Sequence, residues 1–397
     1  MTSLLDKFLP LEGTRAGLVA SSGVDPFHVV VERVLSATEA MINGRKVIMA
    51  GTNNYLGLTF DPGCIAAACT ALREEGTGTT GSRMANGSYA AHVALENELA
   101  VFFNSPAAIV FSTGYIANLA VLSTLAGPDD VILLDADCHA SIYDGTRLGS
   151  AQVLRFRHND PADLEKRLQR LGDRAGNTLV VVEGIYSMLG DRAPLRAIVD
   201  IKNRFGASLL VDEAHSLGVL GQHGRGLAEE AGVEAGVDFI TGTFSKSLGS
   251  VGGFCVSHWP ALETMRYAMR SYIFTASASP SLIASTRRAL VILCNGTVLR
   301  KKLWDNATQL YQGLAVLGFE LGPEISPVIA VQLSASVGEA TALWSELLAQ
   351  GIYVNLVLPP ATPDGNALLR CSLGAAHSRE QIQAILDAFA VIMTQLQ

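Results

Sequence analysis

A lysine amine reacts only after losing its proton, so a lysine among small, hydroxylated neighbours with no local carboxylate is a candidate nucleophile. Lys246 has that setting in Gly242-Thr-Phe-Ser-Lys246-Ser-Leu-Gly249-Ser-Val-Gly-Gly253, which follows the run Val237-Asp-Phe-Ile240. The glycines let backbone approach a bound group closely, and the hydroxyls of Thr243 and Ser245 suit a phosphate. The stretch reads as a Schiff-base site. Taken alone it leaves a solvated Gly/Ser turn open.

Val211-Asp212-Glu213-Ala214-His215 closes the buried-looking run Ala207-Ser-Leu-Leu-Val211. A carboxylate there is costly unless something cationic meets it. A protonated pyridine ring is such a partner, and an aspartate on the ring nitrogen of pyridoxal phosphate makes that cofactor an electron sink. An N-cap or a loop acid is the plainer alternative for Asp212. His139, in Asp135-Ala-Asp-Cys-His139-Ala-Ser141, suits stacking on a planar group or a purely structural role. Gly114-Tyr115 offers backbone N–H groups to a phosphate, while Tyr115 equally suits a place in the core.

Composition narrows the remaining classes. The 397 residues are 49% apolar and 17% charged, enough for a large core. With 29 basic against 37 acidic residues and no long basic run, nucleic acid is not expected as a partner. Six scattered cysteines without a C-x-x-C pair suit reduced thiols, not a disulfide frame or a metal site. The first ten residues lack the pattern of a secretory signal, so a cytoplasmic location is expected. Leu99 to Pro128 is uncharged and long enough to span a bilayer, but its Asn, Gly and Pro residues divide it into a strand, a Gly-Tyr turn and a helix.

Gly76-Thr-Gly78-Thr-Thr-Gly81 matches the dinucleotide fingerprint in letters. A helical pattern precedes it where a strand is required, which excludes that use. A P-loop needs glycine before its Lys-Ser pair, and Ser245 stands there.

These residues need elements to hold them. Strands are expected at Ala107–Phe111, Val131–Leu134, Gln152–Phe156, Thr178–Glu183, Ser208–Asp212, Phe239–Thr241 and Gly253–Val256, with helical patterns between them. That alternation predicts an α/β fold with a mostly parallel sheet. Ligands on such sheets gather beyond the C-terminal strand ends, where His139, Glu183, Ser187, Asp212, His215 and Lys246 all fall. A helical lead-in and hairpin over 1–45, a large domain over 46–280 and a smaller α+β domain over 281–397 complete the expected organisation.

Asn53-Asn54-Tyr-Leu-Gly-Leu, Gly76-Thr-Gly-Thr-Thr-Gly-Ser82-Arg, Phe111-Ser-Thr-Gly-Tyr115, His139-Ala-Ser, Val211-Asp-Glu-Ala-His-Ser and Gly242-Thr-Phe-Ser-Lys-Ser stand in the order seen in the α-oxoamine synthases. From about residue 45 onward the chain resembles that family of fold type I, aspartate aminotransferase-like, pyridoxal-phosphate enzymes. The resemblance implies that Lys246 forms the Schiff base, Asp212 pairs with the pyridine nitrogen, His139 stacks on the ring and His215 sits near the phenolic oxygen. It implies that Gly114, Tyr115, Thr243 and Ser245, with Ser187, hold the cofactor, and that Thr275 and Ala276 reach the phosphate from a second subunit of a homodimer. Arg370, with Asn53 or Asn54 and Ser82, would bind the amino-acid substrate; no metal is implied.

Within the family, Gly242-Thr-Phe-Ser-Lys-Ser, the loop Pro359-Pro-Ala-Thr-Pro363 and Leu368-Leu-Arg370-Cys-Ser are similar to bacterial members that join L-serine to a long-chain acyl thioester, carried by coenzyme A or an acyl carrier protein. Leu358 stands where some of these carry arginine, so the loop is not expected to supply a second cation. A fatty product implies at most peripheral contact with a membrane. Sibling synthases that use glycine or alanine are the alternative, and a non-catalytic partner subunit is the alternative of another class.

Overall fold

The computed structural model describes residues 3–362 and 365–396; Pro363, the last residue of the Pro-Pro-Ala-Thr-Pro loop, lies outside them. The chain forms two compact units. The larger comprises residues 54–187 and 191–301; the smaller comprises residues 1–53, 188–190 and 302–397.

In the larger unit, seven strands form one sheet: β1 (Ala107–Phe111), β2 (Val131–Asp135), β3 (Gln152–Phe156), β4 (Thr178–Glu183), β5 (Ser208–Asp212), β6 (Phe239–Thr243) and β7 (Gly253–Ser257). Their order is β1-β7-β6-β5-β4-β2-β3. Five neighbouring strands run parallel, and β7 is antiparallel to both β1 and β6. Val, Ile and Leu run continuously through β2, β4 and β5 because those strands are covered on both faces. Ile109, Ile132, Leu134, Val181 and Leu210 pack with Ala117, Ala120 and Val121 of the helix Gly114–Leu125 in one core.

The uncharged segment 99–128 resolves into the end of helix Ala90–Phe102, strand β1 and the helix Gly114–Leu125. Gly114 and Tyr115 are the first residues of that helix, not a separate turn, because Thr113 caps it by accepting the Ile116 N–H at 3.1 Å. Among the described residues no single helix is long and apolar enough to cross a membrane. The pair Pro280–Cys294 and Thr297–Val316 passes that test only when joined; Ile283, Leu290, Leu293, Leu303, Leu310 and Leu314 on those helices are buried.

Residues 281–301, expected with the C-terminal domain, group with the larger unit, where Pro280–Cys294 packs along Pro62–Glu75. The smaller unit draws its first sheet from Glu39–Ile42 and Arg45–Met49, a hairpin turning at Asn43-Gly44, extended by Arg33–Val34 and Ile352–Tyr353. Ahead of that hairpin, Arg33–Val34 is the segment of 28–35 that forms a strand. A second sheet holds Val328–Leu333 and Ala367–Ser372, and Trp344, Phe319 and Phe389 fill the core beneath.

Two loops at the C-terminal sheet edge are tied by His158. Its Nδ1 lies 2.8 Å from Asp135 Oδ1 and its Nε2 2.7 Å from Asp191 Oδ2, with the edge of Tyr186 against the ring. Burial alone lowers the imidazole pKa, but the two carboxylates outweigh it and raise it to about 10. Because the folded value lies above the unfolded one, the stabilisation is complete below about pH 6.5 and is lost as pH rises through 10. His158→Gln is expected to destabilise the protein by on the order of 3 kcal/mol at pH 6. The difference from wild type in thermal denaturation should narrow as pH rises through about 10.

Candidate active site

Lys246 sits at the tip of the loop joining β6 to β7. Antiparallel pairing holds the loop's base, with Thr243 opposite Gly253 and Phe244 N–H on the Gly252 carbonyl at 2.9 Å. Phe244 stacks on Phe254 beneath it, and Ser247 Oγ donates to the Leu217 carbonyl at 2.5 Å. Gly252 is at φ +147°, and a Cβ there would meet the Phe244 ring at 2.4 Å. The glycines flanking the lysine are therefore required by packing as well as by access.

The loop borders a cavity of about 270 Å³ over the C-terminal strand ends, lined among others by Gly114, Tyr115, His139, Glu183, Asp212 and His215. Thr243, Ser245 and Lys246 complete that side. Asp212 ends β5 and is 5% exposed. Its Oδ2 accepts from Asn118 Nδ2 at 2.7 Å and its Oδ1 from the Ala214 N–H at 2.9 Å. His139 caps the helix Ala140–Leu148, its Nδ1 accepting the Ser141 N–H at 3.2 Å. Its own backbone N–H donates to Glu183 Oε1. Loss of hydration lowers the His139 pKa; the Asp212 charge opposes this and Lys246 adds to it. Glu183, opposite Asp212 in register, is pushed well above the carboxylate range by burial and then by the Asp212 charge.

One side of the cavity is lined by the start of the helix Gly114–Leu125. First-turn amides have no intrahelical partner and favour an anion. Gly114 approaches β6 so closely that a Cβ would lie 2.7 Å from Thr243 Cβ. Thr243 Oγ1 lies 2.8 Å from Ser245 Oγ, which places both hydroxyls on that side. Tyr115 sets its ring edge toward His139 and donates its hydroxyl to Asp144. On the opposite side Tyr55, fully buried, lies with its hydroxyl 2.7 Å from His215 Nδ1.

Not every expected residue lines this cavity. Ser187 is half-buried on the loop after β4, and Ser82 lies in the glycine turn, its carbonyl accepting the Gly87 N–H at 2.9 Å. Thr275 and Ala276 border a separate small pocket with Arg83 and Tyr272. Asn54 holds Thr59 Oγ1 at 2.8 Å. In the smaller unit Asn53 and the buried Arg370 come together, with Arg370 Nη2 donating to Asn53 Oδ1 at 3.2 Å. Asn118, Ser141, Thr241 and Tyr55 were not singled out as site residues from sequence. Tyr55 and Ser141 lie within the motifs Asn53-Asn54-Tyr-Leu-Gly-Leu and His139-Ala-Ser, whereas Asn118 and Thr241 lie outside every motif quoted above and carry no signal there.

Residues 45–389 match the model of the family described as aminotransferase class I and II. The chain belongs to the class I and II aminotransferase family. Within it, the chain is 57% identical to a serine palmitoyltransferase from Caulobacter vibrioides over 93% of its own length and 91% of that protein's. A solved serine palmitoyltransferase from Sphingomonas wittichii is 54% identical, with a TM-score of 0.96 and all of both chains covered. A variant of the enzyme from S. paucimobilis with a bound PLP–myriocin aldimine is 48% identical, with a TM-score of 0.97, covering 100% of this chain and 99% of that one. The fold is the fold type I architecture of pyridoxal-phosphate transferases.

Gly114→Ala tests the close approach of this family member's helix to β6. The added methyl forces a backbone shift and is expected to cost about 1–3 kcal/mol in thermal stability, measurable by calorimetry. An unchanged melting midpoint would show that the contact yields freely.

Proposed function

We propose that the chain is a pyridoxal 5'-phosphate-dependent acyltransferase that condenses L-serine with a long-chain acyl thioester. The bond from serine Cα to its carboxylate and the thioester C–S bond break, a bond from Cα to the acyl carbon forms, a proton returns to Cα in place of the carboxylate, and CO2 and the free thiol leave with 3-oxosphinganine as product. One observation carries this reading: Lys246, Asp212, His139 and the Gly114 helix start share one cavity in a chain 57% identical to a serine palmitoyltransferase.

The residues present fit the cofactor. A buried carboxylate suits a pyridine nitrogen, an imidazole at the cavity wall suits a planar ring, and the Gly114 cradle that a Cβ would fill suits a phosphate. When bound, the cofactor supplies an electron sink for the negative charge that develops at serine Cα. Asp212 would keep a proton on its ring nitrogen, His139 would lie against the ring, and Gly114, Tyr115, Thr243 and Ser245 would hold its phosphate. His215, with the Tyr55 hydroxyl on its Nδ1, would serve the phenolic oxygen. Lys246 would anchor the group and take the Cα proton as general base. Arg370 and Asn53 hold the serine carboxylate that is later lost.

The enzyme is read as a cytoplasmic homodimer in which Thr275 and Ala276 serve the partner's site. Its acyl donor is a coenzyme A or acyl-carrier-protein thioester. Absorbance titration with L-serine, glycine and L-alanine tests the substrate: a serine-selective shift, then CO2 release with a C16 thioester, is expected. A response to glycine or alanine alone would assign a sibling synthase. Arg370→Ala should raise the serine KM about 100-fold, and Lys246→Ala should abolish turnover.

A further inference from the structure

Asn118 lies on the second turn of the helix Gly114–Leu125 and is 3% exposed. Every polar group of its amide is engaged. Nδ2 lies 2.7 Å from Asp212 Oδ2 and 2.9 Å from Ser141 Oγ, and Oδ1 lies 2.8 Å from Thr241 Oγ1. The directions of these bonds follow from the partners. Asp212 meets N–H groups at both oxygens, so the amide must turn its NH2 toward it. The second N–H then goes to Ser141 Oγ. His139 Nδ1 accepts the Ser141 backbone N–H at 3.2 Å and so carries no hydrogen, which makes the Ser141 hydroxyl, 2.8 Å away, the donor to that nitrogen. Thr241, opposite Asp212 in register, donates to Oδ1 and locks the amide against a flip. A neutral His139 must therefore carry its proton on Nε2.

We infer that Asn118 is a positioning residue that orients the Asp212 carboxylate and, through Ser141, fixes the ring orientation and tautomer of His139. The two groups that would meet the cofactor ring are thus set by one amide. No metal or additional ligand is involved. The inference rests on the pyridoxal-phosphate reading for its functional meaning, whereas the tautomer is a property of the protein alone.

The test compares wild type with N118A, N118D, T241V and S141A. Two quantities are read in the holoenzyme, the dissociation constant of pyridoxal phosphate and the ring 15N shifts of His139; the shifts are also read in the cofactor-free protein. N118A should weaken cofactor binding by about 10- to 100-fold, as expected for losing a hydrogen bond to a buried charge. N118D, which sets a second carboxyl against Asp212, should weaken it further, and T241V by about 3- to 10-fold. S141A spares the Asp212 arm, so its loss of affinity should be smaller than that of N118A while the His139 shifts move from the Nε2–H pattern toward a mixture. Wild-type affinity in N118A and T241V, with unchanged His139 shifts in N118A and S141A, would overturn the inference. Should the N118 variants fail to fold, T241V and S141A decide it. Failure of wild type to bind pyridoxal phosphate would remove the functional reading, and the His139 tautomer in the unloaded protein would still decide the role of Asn118.

Discussion

A carboxylate at the inner end of a covered strand is the constraint on which the site depends. Asp212 ends β5 at 5% exposure, where an ionised group without partners would be several kcal/mol unstable. The structure meets it from two sides, with the Ala214 N–H and the Asn118 amide. Glu183 stands beside it, and burial first and the Asp212 charge second raise its pKa.

Sheet topology explains why Lys246 reaches the same cavity as that acid. Parallel strands deliver His139, Glu183 and Asp212 to the same edge, each from the loop or last residue after its own strand. Lys246 arrives differently, on the reversal between β6 and the antiparallel β7. The base of that nine-residue reversal is clamped by the Phe244 N–H on the Gly252 carbonyl and by the Phe244–Phe254 stack. The lysine is thereby held on an anchored loop whose neighbours are small. The helix Gly114–Leu125 completes the arrangement by combining an anion-binding N-terminus with Asn118 one turn further on. The helix start that borders the cavity and the amide that holds Asp212 thus belong to one element.

Around this centre, charge is neutralised in pairs at some distance from the chemistry. His158 bridges Asp135 and Asp191 and so ties the loop that carries His139 to the loop after β4. Glu213, next to Asp212 in sequence, faces away from the cavity chemistry. It accepts the N–H groups of Leu227 and Ala228 at 2.9 Å, and burial raises its pKa to about 7. Two adjacent acids in one motif thus serve different ends, one facing the site and one fastening the chain behind it.

By itself the sequence determined the strands and pointed to the residues at their ends. Continuous apolar runs located all seven strands of the large sheet to within two residues, because strands buried on both faces leave a signal that is local. Lys246, Asp212 and His139 stood out because their residue types are unusual for the strand ends they follow or occupy, and the structure brings them to one cavity. Tertiary structure decided what depended on chain segments far apart. The grouping of residues 1–53 with the C-terminal segment is one case. The pairing of Asn53 with Arg370 is another; the resemblance had left Asn53 and Asn54 open. Asn118 is a third, since an asparagine in an apolar helix gives no sign of its partners. Its meaning comes from Asp212, 94 residues away, and from Ser141 and Thr241, which only the folded sheet brings to one amide.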